Sequence, residues 1–279
     1  MQPEEYRPAS LKVWEVMAPG WERWRAHLEE ATSPVHEWLI KELDPQSGDT
    51  VLELAAGTGD LGFKAAQDIG GQGLLISTDF SADMVAVARR RAAELGVENV
   101  EFRVMDAEQI DLEDDAVAGV LCQSGYMLVA DVEQALAETR RVLRPGGRLA
   151  LSVWGAPERN PWASIGARIL VERGHMPPPE PGRPGVFSMA APDRVRALLE
   201  GAGFEKIRTD EVGVAFLFRD VEDYVQWAID MAGPLAMVLR GLSPEELRSV
   251  AAEVEELFGP FAAEDGYTLP GAAVCAVAR

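Results

Sequence analysis

One short stretch holds most of the residues that could do chemistry. It reads Val51-Leu52-Glu53-Leu54-Ala55-Ala56-Gly57-Thr58-Gly59-Asp60-Leu61-Gly62. An apolar run with a strand's character ends in small residues and opens into a helical pattern. Gly57 and Gly59 let backbone approach a ligand with no Cβ in the way. The helix that follows offers free N–H groups and the positive end of its dipole. A second element, Thr78-Asp79-Phe80, ends the next apolar run, with Asp79 20 residues after Gly59. A carboxylate at a neighbouring strand tip can accept hydrogen bonds from both hydroxyls of a ribose. Loop and acid together point to a ligand containing adenosine, bound in the crevice beyond the strand ends.

Two ligand classes use this geometry. Gly57-x-Gly59-x-x-Gly62 formally satisfies the dinucleotide pattern, so a nicotinamide oxidoreductase is one reading. Against it, Glu53 sits within the strand, where its charge would oppose a pyrophosphate. None of the four tyrosines is followed by a Tyr-x-x-x-Lys pair, so the acid/base pair of the common short-chain reductases is missing.

Further motifs follow in order. Thr78-Asp79-Phe80-Ser81-Ala82-Asp83-Met84, Asp106-Ala107-Glu108-Gln109, Arg141-Val142-Leu143-Arg144-Pro145-Gly146-Gly147-Arg148-Leu149 and Leu198-Leu199-Glu200-Gly201-Ala202-Gly203-Phe204 join the glycine loop. Together they resemble class I S-adenosylmethionine-dependent methyltransferases, particularly those of ubiquinone and menaquinone biosynthesis. The resemblance is strong over 50–155 and moderate over 190–212, and departs from the pattern at Ala56, where many of these enzymes carry Gly or Cys. It implies a Rossmann-like α/β fold: a seven-stranded, mostly parallel sheet with the last strand antiparallel.

It also implies S-adenosylmethionine as cofactor and a role for each matching position. Glu53 would orient the loop and the ligand's ammonium. The backbone at Ala55 and Gly57 would meet the methionine part, with Gly59 completing the turn. Asp79, with Phe80 beside it, would hold the ribose. Asp106 would accept from the adenine amino group and the Ala107 N–H would meet a ring nitrogen. Gln123 would line the methionine and substrate side. Asp106 would serve equally as a turn former, and Gln123 as a satisfied strand-end polar group. Pro145-Gly146-Gly147 reads as a structural turn between a helix over 131–143 and a strand over 148–154.

The sulfonium donor is already activated, so the enzyme's work is alignment and exclusion of water. A general base helps only if the acceptor is a hydroxyl. Of the three histidines, His27 and His36 fall on amphipathic helical patterns and read as surface or packing residues. His175, opening the Pro-rich stretch, is the base candidate. Tyr126, just after the fourth strand, is a second candidate for the acceptor pocket or else a core aromatic. Trp14, Trp21 and Trp24 suggest a lid or the packed face of a helix. Trp227, Met231 and Met237 suggest an apolar wall for the acceptor or simple helix packing. The expected activity is methyl transfer to oxygen or carbon of a small apolar or aromatic molecule. A non-catalytic binder of S-adenosylmethionine is a further alternative.

The elements that must position these residues follow from periodicity. Residues 1–48 read as a helical lid, its pattern interrupted at Pro19-Gly20 and restarting after Ser33-Pro34, with Ser33 as N-cap. From 49 onward strands alternate with helices, which predicts a parallel sheet covered on both faces. The core extends to 279, with a helical and Pro-rich insertion at 156–190 and a helical insertion at 220–262. A strand over 204–218 carries a bend at Gly213, and the late helices split at Gly233-Pro234.

Bulk composition narrows the partners. Apolar residues make up 47% of 279, and 46 acidic residues stand against 26 Lys and Arg, a net charge of -20. Such a surface repels phosphate backbones, so no nucleic-acid partner is expected. No apolar run approaches the ~20 residues of a membrane span, and the start MQPEEYRPAS lacks a basic-then-apolar leader pattern. The expectation is a cytoplasmic protein with no metal site, its two cysteines, Cys122 and Cys275, inert in the core. Nothing in the sequence sets an oligomeric state.

Overall fold

A computed structural model describes residues 3–180 and 182–279; Met1, Gln2 and Pro181, the last within the Pro-rich loop, lie outside them. The apolar runs form β1 (Thr50–Glu53), β2 (Leu74–Asp79), β3 (Val100–Val104), β4 (Val117–Gln123), β5 (Leu143–Trp154), β6 (Arg208–Phe218), β7 (Ala262–Ala263) and β8 (Gly266–Ala278). They make one sheet in the order β3-β2-β1-β4-β5-β8-β6, with the two-residue β7 hairpinned onto β8. β1 to β5 are parallel, and β8 runs antiparallel to both β5 and β6. The expected seven principal strands with the last reversed are present.

The helices are α1 (Pro3–Leu43), α2 (Asp60–Ile69), α3 (Ala82–Leu95), α4 (Val132–Val142), α5 (Pro161–Glu172), α6 (Pro192–Gly201), α7 (Val221–Met231), α8 (Pro234–Gly241) and α9 (Pro244–Phe258). Local signals start several of them. Ser81 accepts the Met84 N–H at the head of α3, and Ser243 with Glu246 forms a reciprocal capping box at α9. Gly233, at φ +55°, divides α7 from α8 as its Gly-Pro pair predicts.

Three expectations change. First, α1 is one helix of 41 residues through Pro8, Pro19 and Pro34, not two. Proline inside a helix costs about 3 kcal/mol, and contacts along the whole length of α1 offset it. Gly20 is a point of close approach: a Cβ there would lie 2.1 Å from the Asp230 carbonyl oxygen. Ser33 caps nothing; its hydroxyl donates to the Glu30 carbonyl. Second, β5 begins at Leu143, and its register against β4 jumps from Val117–Leu143 to Gly119–Arg148, so Arg144 to Gly147 bulge outward. Gly146, at φ +81°, supplies the turn. Third, β6 begins at Arg208 and stays paired through Gly213–Ala272 without a break. Phe204 plugs the core below α6 instead.

α1 decides what the strand tips face. Its first turns reach Leu128 through the Tyr6 hydroxyl and Glu108 through Arg7. Its middle meets α2 through Arg25–Asp60 and α7 through Arg23–Asp230 and Trp24–Asp230. Its last turns sit on the sheet, with Trp38 donating to Asp210 of β6 and Leu43 packed on Gly119 of β4. α1 therefore crosses the carboxyl ends of the central strands before joining the core.

Candidate functional site

The carboxyl ends of β1, β2 and β4 meet in one crevice, the place an open α/β sheet reserves for ligands. Ala55 at φ +52° and Ser124 at φ +55° follow β1 and β4 in the left-handed region that non-glycine residues rarely adopt. Such strain on two adjacent strand tips marks a site held in shape by its surroundings. The two turns touch: a Cβ on Gly125 would stand 2.7 Å from the Ala55 Cβ.

Asp79 fastens the glycine loop. Its Oδ2 accepts the Gly57 N–H at 2.9 Å and its Oδ1 accepts the Ser81 N–H at 2.8 Å. Burial pushes the carboxyl up while these backbone donors pull it down. A carboxylate offers about four acceptor directions, so two bonds leave room for two hydroxyls. Phe80 is half-buried beside it. Gly57, at φ +55°, has open space where a Cβ would point, apart from the Trp21 ring at 3.9 Å. The Trp21 indole N–H is buried there without a partner. A bare turn, an acid with spare lone pairs and an orphaned donor above them fit a nucleoside.

Glu53 is a brace. It is 2% exposed, with Oε1 accepting the Gly62 N–H at 2.7 Å and Oε2 the Ser77 hydroxyl at 3.1 Å. A Cβ on Gly62 would lie 2.1 Å from Oε2. The third glycine of the pattern thus makes room for this acid. Burial pushes the Glu53 carboxyl up to about 8, against the two donors and with Asp60 and Asp79 adding to the rise. An acid whose pKa is raised on folding stabilises the fold below its ordinary value of 4.5 and loses that contribution as pH rises through about 8. The melting temperature of the wild type should therefore fall relative to Glu53→Gln between pH 5 and pH 9, by the equivalent of about 4 kcal/mol in unfolding free energy. A gap between the two proteins that stays flat over this range would show Glu53 already ionised.

The remaining expected contacts lie around the same rim. Asp106 accepts the Glu108 N–H at 2.9 Å and forms a bridge with Gln109, the tight turn foreseen in its alternative reading. Its other oxygen stands 3.8 Å from the Arg7 guanidinium of α1. Ala107 packs against the core. A cleft of about 500 Å³ opens there, lined by Arg7, Asp106, Glu108, Gln109, Gln134 and Glu138. Gln123, half-buried at the end of β4, lies against the buried His36 of α1.

The helix N-terminus beyond Gly59 carries its own acid. Asp60 accepts the Thr58 hydroxyl at 2.6 Å and pairs with Arg25 at 3.2 Å. A diphosphate needs that end of the helix free of negative charge, so the arrangement disfavours a dinucleotide.

Neither catalytic candidate stands in the crevice. Tyr126 is 1% exposed, and its hydroxyl lies 2.6 Å from Thr139 Oγ1. Burial pushes its phenol well above the usual range, so it is a core aromatic. His175 lies beyond the far end of α5, facing Glu246 of α9. α5 starts at the strand tips, where Asn160 donates to the Gly155 and Ala272 carbonyls. Its 12 residues then carry the chain about 18 Å away. Met237 is 41% exposed and takes no part in a wall, whereas Met231 and Trp227 are buried. Cys122 and Cys275 are buried thiols, each pushed up to about 12. Among the described residues no group of three His, Cys, Asp or Glu is placed to hold a metal, and no helix is long and apolar enough to cross a membrane.

Sequence reasoning read two histidines only as surface or packing residues and passed over a serine. His27 packs against Trp24, Phe216 and Phe218, with its Nε2 buried and unpartnered. His36 and Ser152 are likewise buried, with unpartnered Nδ1 and Oγ. Arg7, clasping Glu108 from across the rim, was missed too. No local pattern marks any of them, because their neighbours come from distant elements.

Residues 45–166 match a family described as methyltransferase domain. An arsenite methyltransferase from Halobacterium salinarum is 32% identical over 167 residues, covering 57% of this chain and 38% of its own. A ubiquinone/menaquinone biosynthesis C-methyltransferase from Francisella tularensis is 38% identical over 113 residues, covering 40% of this chain and 45% of its own. The chain therefore spans less than half the length of these two relatives. A solved S-adenosylmethionine-dependent methyltransferase from Aquifex aeolicus has the same fold, with a TM-score of 0.51 at 22% identity over 67% of this chain and 87% of that one. The glycine loop clasped by Asp79, the acid-bearing helix end and the sheet with its reversed last strand agree with these likenesses: over residues 45–166 the chain matches a methyltransferase domain and is similar to S-adenosylmethionine-dependent methyltransferases.

Proposed function

We propose that this chain transfers the methyl group of S-adenosylmethionine to an oxygen or carbon of a small apolar or aromatic molecule in the cytoplasm. The observation that carries the reading is the Gly57–Asp79 clasp, a bare turn fastened to an acid that keeps lone pairs for a ribose. Asp79 and Phe80 would hold the nucleoside. Asp106 and the Ala107 N–H would take the adenine, and the turns at Ala55, Gly57, Gly59 and Gln123 would face the methionine arm, with Glu53 bracing them. When bound, the cofactor supplies an electrophilic methyl that needs no further activation. The protein's part is to position an acceptor and keep water out. α1 would serve as the cover, since it spans the rim from Leu128 to α7.

An aromatic cluster beside the crevice supports the acceptor class. Trp154, Trp162, Phe216, Phe218 and Trp227 pack on one another at the tips of β5 and β6, some pairs edge to face and others tilted, with ring centres 4.4–6.1 Å apart. His27 closes it from α1, and burial holds its imidazole below the usual range, against Asp223 and Glu30. A neutral ring with a free nitrogen beside apolar walls suits an aromatic acceptor carrying a polar group.

The test combines thermal protection with transfer of labelled methyl to a panel of phenols and quinones. The expected result is protection by S-adenosylmethionine, none by nicotinamide dinucleotides, and label on at least one acceptor. Protection by the dinucleotides alone would move the chain to the oxidoreductases. Cofactor binding with no transfer across the panel would favour a non-catalytic binder.

A further inference from the structure

The sheet has two outer edges, and they differ. β3, at one end of the strand order, is 5 residues long and carries Glu101 and Arg103, paired with each other at 2.8 Å. β6, at the other end, is 11 residues long. Its later part, Val212-Gly213-Val214-Ala215-Phe216-Leu217-Phe218, holds no charge and no proline. Natural sheets guard an edge with short strands, charges or proline, because its unpaired N–H and C=O groups template another strand. β3 is guarded in this way, and the later part of β6 is not.

Which backbone groups of β6 point outward follows from its neighbour. Ala272 of β8 donates its N–H to Asn160 Oδ1 at 3.0 Å, and its carbonyl accepts the Gly155 N–H at 2.8 Å. Both groups turn away from β6. Pro270, on the same side of β8, has no N–H to give. Ala272 faces Gly213 and Pro270 faces Ala215. Antiparallel pairs alternate between exchanging both bonds and none, so Gly213, Ala215 and Leu217 send their N–H and C=O groups to the outer edge. Their side chains lie on the face away from α1, which meets the alternate set through Asp210 and Phe216. On that outer face Leu217 is 53% exposed. Nothing stands within 4 Å of the place a Cβ on Gly213 would take.

We propose that two copies of this chain pair through β6, antiparallel about a two-fold axis at Ala215, so that the sheet runs on from one copy into the other. Gly213 of each copy then meets Leu217 of the other, and the exposed leucine covers the bare glycine. Ala215 meets its own counterpart. Just beyond, Glu211 meets Arg219 of the second copy, and the two-fold axis repeats the pair at the other end. Moving the axis to Val214 or Gly213 sets Glu211 against Leu217 or Ala215 and loses this charge match. Glu211 and Arg219 are exposed and also pair with Arg159 and Asp223 of their own copy, so they set the register more than the strength. Asp210 faces Asp220 of the second copy, with Arg208 standing 3.2 Å from Asp210 to offset the like charge. A ladder this short buries little surface, so the association is weak. A net charge of -20 on each copy opposes it until salt screens the repulsion.

Analytical ultracentrifugation of the full chain over a range of concentrations tests the pairing. The wild type should show a reversible monomer–dimer equilibrium that tightens as salt rises from about 10 mM to about 150 mM. Ala215→Pro removes an outward N–H and leaves the bonds to β8 in place, so it should weaken the dimer about tenfold or more in a chain that still melts cooperatively. Glu211→Arg and Arg219→Glu, both at exposed positions, should each weaken it about fivefold, and the double variant should recover most of the loss. This charge exchange decides the matter even if the proline variant fails to fold. A wild type that stays monomeric at every concentration, a dimer untouched by Ala215→Pro in a folded chain, or a double variant no better than the single ones would overturn the proposal.

Discussion

Replacing Asp79 by alanine is expected to weaken binding of S-adenosylhomocysteine by about 1–3 kcal/mol, roughly 5- to 150-fold, in a protein that still folds. The carboxylate does two things at once. It accepts the Gly57 and Ser81 N–H groups, which sets the loop, and under the proposed reading its remaining lone pairs would take the ribose hydroxyls. Asparagine should not rescue the loss. Both oxygens already meet a backbone donor, so whichever end carries the amide NH2 opposes an N–H. Calorimetry on Asp79→Ala and Asp79→Asn, with circular dichroism to confirm the fold, decides the matter. Affinity unchanged in either variant would remove Asp79 from the cofactor's grip.

The second large effect concerns stability. Gly62→Ala should destabilise the fold by about 3 kcal/mol, because the new methyl would occupy the position of Glu53 Oε2, 2.1 Å away. Glu53 has nowhere to swing: it is buried, and its other oxygen holds the Gly62 N–H. Moving it would also leave that N–H and the Ser77 hydroxyl unpaired, at a cost of order 1–3 kcal/mol. The cause can be isolated by a double-mutant cycle in denaturant. In a Glu53→Ala background the space is already open, so the added cost of Gly62→Ala should drop to about 1 kcal/mol or less. Equal costs in both backgrounds would mean that the glycine serves some other contact.

The dinucleotide-like spacing gains a different meaning from this pair. Gly57 and Gly59 serve the turn, both at positive φ. Gly62, inside α2, serves a buried acid on β1. The same three letters that admit a diphosphate elsewhere here seat a carboxyl, and Asp60 fills the helix end with a second one. Pattern and chemistry diverge because the pattern records only where a side chain is absent. What fills the space is set by the neighbouring strand.

Much of the site was legible because its parts are local. A strand, a turn and a helix start occupy 12 consecutive residues, and Asp79 follows at the length of one helix and one strand. Strand and helix periods hold over such spans whatever surrounds them, and the family resemblance of the ordered motifs implied the reversed last strand. The charge balance likewise needed no fold to argue against a phosphate backbone.

What tertiary structure alone decided lies in pairs far apart in the chain. α1 runs through three prolines because Glu108, Asp60, Asp230 and Asp210 hold it along its length, and single-sequence signals see only the prolines. Tyr126 follows a strand tip yet turns inward to Thr139, and His175 is carried off by α5. His36 and Ser152 stand 116 positions apart in sequence, and only the β4–β5 register and the seating of α1 bring both to Gln123. Residue types and spacing determine which groups can grip a ligand; burial determines which of them are left with a valence to use, and burial belongs to the whole chain at once.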